Sequence, residues 1–417
     1  MQLRRITWWL FTGGLLFMLI LFRVTHKKKK TAHRSWLDFR DNETAEDVCD
    51  CEMILNGDAD EIELSKILTI TKSFKNHTYI PDAQYIELTN NCEKYRRSRK
   101  YLSVPLSTEE KAFSVAYSIV VHHKVQNFER LLRSIYTPQN FYCVHVDKKA
   151  PMSVMTGISG IVSCFDNVFL VSRRERVYYA SWSRVQADIN CMKDLYQVSN
   201  HWKYFINLCG QDFPIKTNLE IVRALKALAG ANSLETETMP SSKNHRWMKK
   251  HRLINGIIRA TNLNKEPPPF TLKIFSGGAY IVVSREFVRF VLEDPNAQML
   301  MEWANDTYSP DELLWATLQR IPGVPGFLRP HSKYDISDIH SISRLVKWGP
   351  HELGFDAVYP RCHGIHIRNI CVYGAGDLQW ILEQHHLFAN KFDTDVDPIA
   401  IRCLERYLRH KALKMQQ

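Results

Sequence analysis

The stretch SVAYSIVVH, residues 114–122, limits the fold more than any other feature of the chain. It is an almost unbroken apolar run rich in β-branched residues. Such a run suits a strand buried on both faces, as in a parallel sheet. An amphipathic segment follows, NFERLLRSIY (127–136). FYCVHVD (141–147) and NVFLVS (167–172) read as two more strands. SRVQADINCMKDLYQV (183–198) reads as a long helix, and KYFINLCGQDFPIKT (203–217) as a strand running into a loop. Another strand is expected over GGAYIVVS (277–284), after the prolines at 267–269. This alternation predicts an α/β domain whose sheet is covered by helices. Ligands of such sheets bind outside the carboxyl ends of the strands. His122, Asp147 and the 209–214 loop fall at those ends. The chain has no internal repeat and no Walker or G-x-G-x-x-G loop.

The N-terminus carries a different signal. Ile6 to Phe22, ITWWLFTGGLLFMLILF, holds no charge and is flanked by Arg5 and Arg23. It is a short but adequate membrane helix, with Trp8 and Trp9 near one interface. No small-residue cleavage site follows, which argues for an anchor over a removable signal. Lysine and arginine are denser after this segment than before it, which by the positive-inside rule points the bulk of the chain to the cytosol. The cysteines argue the opposite and weigh more. All ten lie beyond residue 48, and no C-x-x-C pair suggests zinc. Cysteines spread over an anchored domain predict disulfides in an oxidising lumen. Sequons at Asn42 and Asn76 agree with lumenal exposure; a third, Asn305, lies seven residues before Glu312. The expected organisation is a cytoplasmic tail (1–5), a signal anchor (6–22), a stem (23–50) and a lumenal domain (51–417).

The formal charge is +11, of which residues 1–34 supply +8. The remaining +3 is too little for a nucleic-acid binder, which should carry its basic patch on the folded domain.

TYSPDELLWATLQR (307–320) holds the first candidate for chemistry. Ser309, Pro310 and Glu312 have the spacing of a capping box at a helix start. A carboxylate there is also favoured by the helix dipole and could accept a proton. Two short acidic runs, 58–60 and 393–397, resemble metal-binding D-x-D motifs but read as solvated surface.

Several blocks together resemble one family. AYSIVVHHK (116–124), NFYCVHVDKKAP (140–151), VYYASWSRVQADINCMKDL (177–195), WKYFINLCGQDFPIKTNLEIV (202–222), DTYSPDELLWATLQR (306–320), CVYGAGDLQWIL (371–382) and HHLFANKFD (385–393) are similar to the core 2 β-1,6-N-acetylglucosaminyltransferases, the leukocyte type most of all. The resemblance covers about Cys51 to Lys414. It implies a GT-A-like nucleotide-sugar fold with a mixed sheet flanked by helices, in a Golgi type II membrane enzyme. The implied reaction is inverting transfer of GlcNAc from UDP-GlcNAc to the 6-hydroxyl of GalNAc in mucin-type O-glycans. No cofactor and no metal are expected. The implied partners are UDP-GlcNAc, Galβ1-3GalNAc-bearing glycoproteins and the Golgi membrane. Sibling activities, on core 4 or I-branches, and a silent glycan-binding protein on the same fold are the alternatives.

The resemblance also implies roles. Glu312 corresponds to the family's base. Arg368 and Lys391 fall where it carries phosphate-binding cations. Val120, His122, Asp147, Lys148, Lys149 and Tyr179 match its nucleotide-binding stretches. Glu235, Lys243, Arg246 and Trp348 match acceptor-contacting positions. The sequence departs from the family around 348–358, where the segment is shorter and Pro350 stands about where a tyrosine is found. The implied disulfides are Cys51–Cys403, Cys92–Cys164, Cys143–Cys191 and Cys362–Cys371. Cys209 matches a free thiol, and Cys49 is extra, free to cross-link a dimer.

Overall fold

The structure is a computed structural model. It describes residues 49–71, 79–327, 341–355 and 357–415. The tail, anchor, most of the stem, and the sequons at Asn42 and Asn76 lie outside these residues. Among the described residues no helix is long and apolar enough to cross a membrane. Cys49–Gln417 forms one compact unit.

In chain order the strands are β1 (Val115–Val121), β2 (Phe141–Val146), β3 (Val168–Leu170), β4 (Tyr204–Cys209), β5 (Asp212–Pro214), β6 (Glu237–Thr238), β7 (Lys249–Ile254), β8 (Ile257–Asn264), β9 (Phe275–Ser276), β10 (Val282–Ser284), β11 (Arg344–Val346), β12 (Ile365–Ile367), β13 (Ile370–Val372) and β14 (Phe388–Asn390). The main sheet has the order β10-β4-β1-β2-β3. β1 runs parallel to β2 and β4, β2 parallel to β3, and β10 antiparallel to β4, so the sheet is mixed. The strand over GGAYIVVS is shorter than expected, because only Val282–Ser284 pairs with β4.

Every residue of β1 is buried. Val115, Tyr117, Ile119 and Val121 enter one core, under the helices Val125–Ile135 and Met152–Val162. Ala116 enters the other, under Trp182–Val198 and Arg285–Glu293. On that second face Ser118 donates to Asp188 at 2.9 Å, and Asp188 also accepts from Asn207 at 2.9 Å and Arg184 at 2.6 Å. Burying these polar groups is tolerable because each finds a partner.

A third core gathers around a smaller sheet, β11-β14-β5. The C-terminal helix Pro398–Lys414 packs there against Cys51–Leu55, and Cys51–Cys403 links the two. The other disulfides are Cys92–Cys164, Cys143–Cys191 and Cys362–Cys371, while Cys49 and Cys209 are free.

The two acidic runs are only partly solvated surface: Asp60 and Asp395 are exposed, but the other acids are tied down. Asp58 caps the helix Ala59–Ile70. Asp393 pairs with Lys124 and accepts from Gln211, and Asp397 caps the last helix. Their oxygens serve structure, which the runs themselves could not indicate.

Lys347 and Asp377 form an ion pair at 2.7 Å with both side chains fully buried. Asp377 also accepts from the backbone of His363 and Gly374. Removing one member of a buried pair strands the other's charge. Lys347→Met should lower the unfolding free energy by about 3–5 kcal/mol, read from urea denaturation with the disulfides intact. A change under about 1 kcal/mol would mean the backbone donors alone suffice for Asp377.

Candidate active site

The sheet order places β4 on one side of β1 and β2 on the other, so the chain reverses direction of winding at β1. A crevice opens at the carboxyl ends of strands at such a point. Three of the predicted residues lie there. Val120 is buried near the end of β1, His122 follows that strand, and Asp147 follows β2. The Asp147 carboxylate accepts from the Lys149 backbone at 2.8 Å and from Val177 at 3.4 Å, and the Lys149 ammonium stands 3.7 Å away. Lys148 donates its backbone N–H to Glu175 at 2.9 Å. These bonds hold the 175–180 loop, and with it Tyr179, against the end of β2.

His122 stacks on His123 at 4.0 Å. Burial, with the neighbouring His123 ring, lowers its pKa to about 4. The ring is therefore neutral at mildly acidic pH.

The loop bearing Tyr179 reaches the base candidate directly. The Ala180 carbonyl accepts from the Ser309 N–H at 2.9 Å. Ser309 is left-handed (φ 47°) and its side chain makes no cap bond. The expected capping box is therefore absent. Pro310–Glu312 is a single 3-10 turn, and the helix proper begins only at Leu314. The left-handed residue turns the chain too sharply for Ser309 to reach the N–H groups ahead. The Glu312 carboxylate pairs instead with Arg246, which takes Oε2, and the side chain keeps 41% of its surface exposed. Tyr308 donates its N–H to the Arg246 carbonyl at 2.8 Å, so the two segments are joined by backbone as well. The Glu312 carbonyl accepts from Gly277 at 2.9 Å. Gly277 has to be glycine: a Cβ there would lie 2.1 Å from the Glu235 carbonyl oxygen.

Arg368 arrives from a hairpin. β12 and β13 pair antiparallel around Arg368 and Asn369, at φ 54° and 62°. Two left-handed residues make a type I′ turn, which usually selects Asn and Gly. An arginine held there is strained and thrust outward at the tip. Its guanidinium lies over the Tyr179 ring, 5.2 Å from the centroid. The Tyr179 hydroxyl pKa is raised by burial and then by Glu312, so it remains protonated. Trp348, 36% exposed, bridges to Ile370 of the same hairpin. Pro350 lies within the 3-10 turn Gly349–His351 just beyond it.

Lys391 follows β14. Burial lowers its pKa, and the Arg368 and Arg344 guanidiniums act in the same direction. Among the described residues neither Arg368 nor Lys391 forms an ion pair with a carboxylate. Lys243 donates to Ser276 at 3.0 Å, and Glu235 is buried behind it. The structure thus gathers His122, Asp147, Lys149, Tyr179, Arg246, Glu312, Arg368 and Lys391 around one crevice. Val120 and Glu235 are buried.

Two participants were not legible in the sequence. Asp311 is half-buried beside Glu312, and its pKa rises to about 6 through loss of solvent and that neighbour's charge. Arg344 packs over the Tyr280 ring at 3.3 Å, close to Asp212 at 3.6 Å. No spacing marks either of them.

A family profile described as Core-2/I-Branching enzyme matches residues 115–382. The chain belongs to the core-2/I-branching enzyme family. A human protein named beta-1,3-galactosyl-O-glycosyl-glycoprotein beta-1,6-N-acetylglucosaminyltransferase is 53% identical over 96% of this chain and 94% of its own. A second human protein, of the same name with the number 3, is 53% identical over 87% of this chain and 83% of its own. A protein of that name from bovine herpesvirus 4 is 52% identical over 87% of this chain and 83% of its own. The family's matched region contains β1 to β13, and so every crevice residue except Lys391.

The lowered pKa of His122 has a consequence for pH. An unfolded histidine takes up a proton near pH 6.5, while the folded one does so only near pH 4. Stability from this group therefore falls as pH drops through 6.5, with the loss complete near 4. The His122 ring resonances should not titrate between pH 7 and 5 by NMR. A midpoint above 6 would contradict this reading.

Proposed function

We propose that this chain is a β-1,6-N-acetylglucosaminyltransferase that moves GlcNAc from UDP-GlcNAc to the 6-hydroxyl of GalNAc in Galβ1-3GalNAc, with inversion, on a GT-A-like domain. The observation that carries the mechanism is the Arg246–Glu312 pair on a partly exposed turn, facing the hairpin that presents Arg368. Arg246 engages Oε2 of Glu312 and leaves the other oxygen to take the proton of the acceptor hydroxyl. The oxygen then bonds to the anomeric carbon as the bond to UDP breaks. Arg368 and Lys391 offset the charge that develops on the departing diphosphate. An anion between them also relieves the like-charge field that depresses Lys391. Asp147 and the neutral His122 suit the uridine, as hydrogen-bond acceptors at the strand ends.

Transfer without a metal follows from the same residues. The acid at the end of β2 is followed by Lys148 and Lys149 rather than by a second acid, and its Oδ1 already serves two backbone N–H groups while Oδ2 faces the Lys149 ammonium. Arg368 and Lys391 can supply the positive charge that a metal would otherwise bring to the diphosphate. We place the enzyme in the Golgi membrane, anchored by residues 6–22, with Cys49–Gln417 in the lumen. Four disulfides in the domain support an oxidising compartment.

The test is transfer to Galβ1-3GalNAc by the secreted domain with EDTA present, with the product's linkage and anomer read by NMR. A β-1,6-linked product at undiminished rate is expected. Arg368→Ala and Lys391→Ala should each lower kcat by about 10²–10³-fold. Activity abolished by EDTA and restored by manganese, or unimpaired turnover in both variants, would contradict the proposal.

A further inference from the structure

Beside the crevice stands a two-stranded ribbon, β7 and β8, turning at Asn255–Gly256. Residues 243–265 hold seven lysines and arginines and no acid. Because residues 35–417 carry only +3 in all, the rest of that region is net negative. The segment is thus a strongly cationic stretch in an otherwise net-negative region, and Arg246 and Lys265 are its members paired with carboxylates, Glu312 and Asp306.

The ribbon is fastened at both ends to the walls of the crevice. At its base the His251 N–H donates to the Asp306 carbonyl at 2.8 Å, in the loop that leads to Glu312. At its tip Gly256 abuts Tyr178, where a Cβ would come within 3.3 Å of the ring. Tyr178 neighbours Tyr179 and carries the Lys149 ammonium over its face at 4.5 Å. Some 20 Å of strand thus runs along the site from the acceptor side to the donor side.

Arg252 and Arg259 sit directly opposite each other across the ribbon, and both are exposed. Like charges in directly opposed positions destabilise a strand pair. Among the described residues no carboxylate pairs with Arg252, Arg259 or Lys250. Leu253, Ile254 and Ile257 beside them are 44%, 48% and 56% exposed. An arrangement that costs stability in the free chain gains when an anion joins the two guanidiniums.

We infer that the β7–β8 ribbon docks an acidic stretch of the acceptor's polypeptide, next to the glycan being extended. The guanidinium pair takes Asp or Glu side chains, and the exposed aliphatic residues take the apolar residues between them. A polypeptide fits this mixture better than a sugar acid, which offers no aliphatic side chains. The inference rests on the transferase reading and adds a site for the carrier to the site for the sugar.

The test uses two synthetic glycopeptides, each bearing one Galβ1-3GalNAc, identical except that one has three Glu where the other has Gln. The free disaccharide glycoside is the neutral control. The variant is R252E/R259E, which keeps like charges opposed and so should leave the melting temperature unchanged. Binding is read by fluorescence anisotropy and turnover separately. Wild type should bind the Glu peptide on the order of tenfold more tightly than the Gln peptide, an advantage that fades as salt is raised. The variant should lose that advantage while turning over the free disaccharide as wild type does. Equal binding of the two peptides by wild type would overturn the inference. So would a variant that keeps the preference. A variant that loses adhesion to vesicles containing 30% phosphatidylserine, with peptide binding intact, would make the ribbon a membrane surface instead. Failure of wild type on the free disaccharide would sink the transferase reading, whereas the anisotropy result would still decide the ribbon.

Discussion

The burial of β1 on both faces is the constraint on which the site depends. A strand with cores above and below cannot slip register without driving its whole side-chain set into the wrong layer. Its pairing with β2 and β4 fixes where those strands end, and His122, Asp147 and Gly210 are held at those ends. The next step outward is polar. Asp147 and Lys148 bind the 175–180 loop, and that loop binds Ser309, three residues before Glu312. The carboxylate proposed to do the chemistry thus hangs on a chain of backbone hydrogen bonds that starts at the central strand.

The C-terminal part supplies the positive side of the crevice by a separate route. The hairpin carrying Arg368 is stapled by Cys362–Cys371 and laid against 347–349, where the Cys371 N–H donates to Lys347 and the Gly349 N–H to Asn369. The buried Lys347–Asp377 pair fixes that contact. Arg368 and Trp348 therefore move as one piece, so the proposed diphosphate and acceptor contacts are mechanically coupled. Arg246 gives the negative side its counterpart. Arg246, and not a helix terminus, holds the Glu312 carboxylate in place.

Much of the sheet was legible because the central strands are buried on both faces and read as apolar runs. The positions of β1 to β4 and of the helix Trp182–Val198 follow from the local residue pattern. The small sheet did not, since its strands are three residues long and come from distant parts of the chain. The Glu312 turn was misread as a capping box because spacing reports which residues could cap, not the left-handed φ that removes Ser309 from reach. Arg368 and Lys391 were named through resemblance. Their geometry depends on a strained turn and on β14, which no local pattern announces. The ribbon's charge was hidden in a different way. A near-neutral total averaged its seven cations against acids elsewhere.

Glu312, held by Arg246 on a single 3-10 turn, is the group proposed to remove the proton from the acceptor hydroxyl. The most direct measurement compares wild type with Glu312→Gln for UDP affinity and for single-turnover transfer to Galβ1-3GalNAc. The amide keeps the size and can still meet the acceptor, but it cannot take a proton. UDP affinity should be unchanged and the rate lowered by about 10²–10⁴-fold. A folded variant that transfers at the wild-type rate would show that another group is the base.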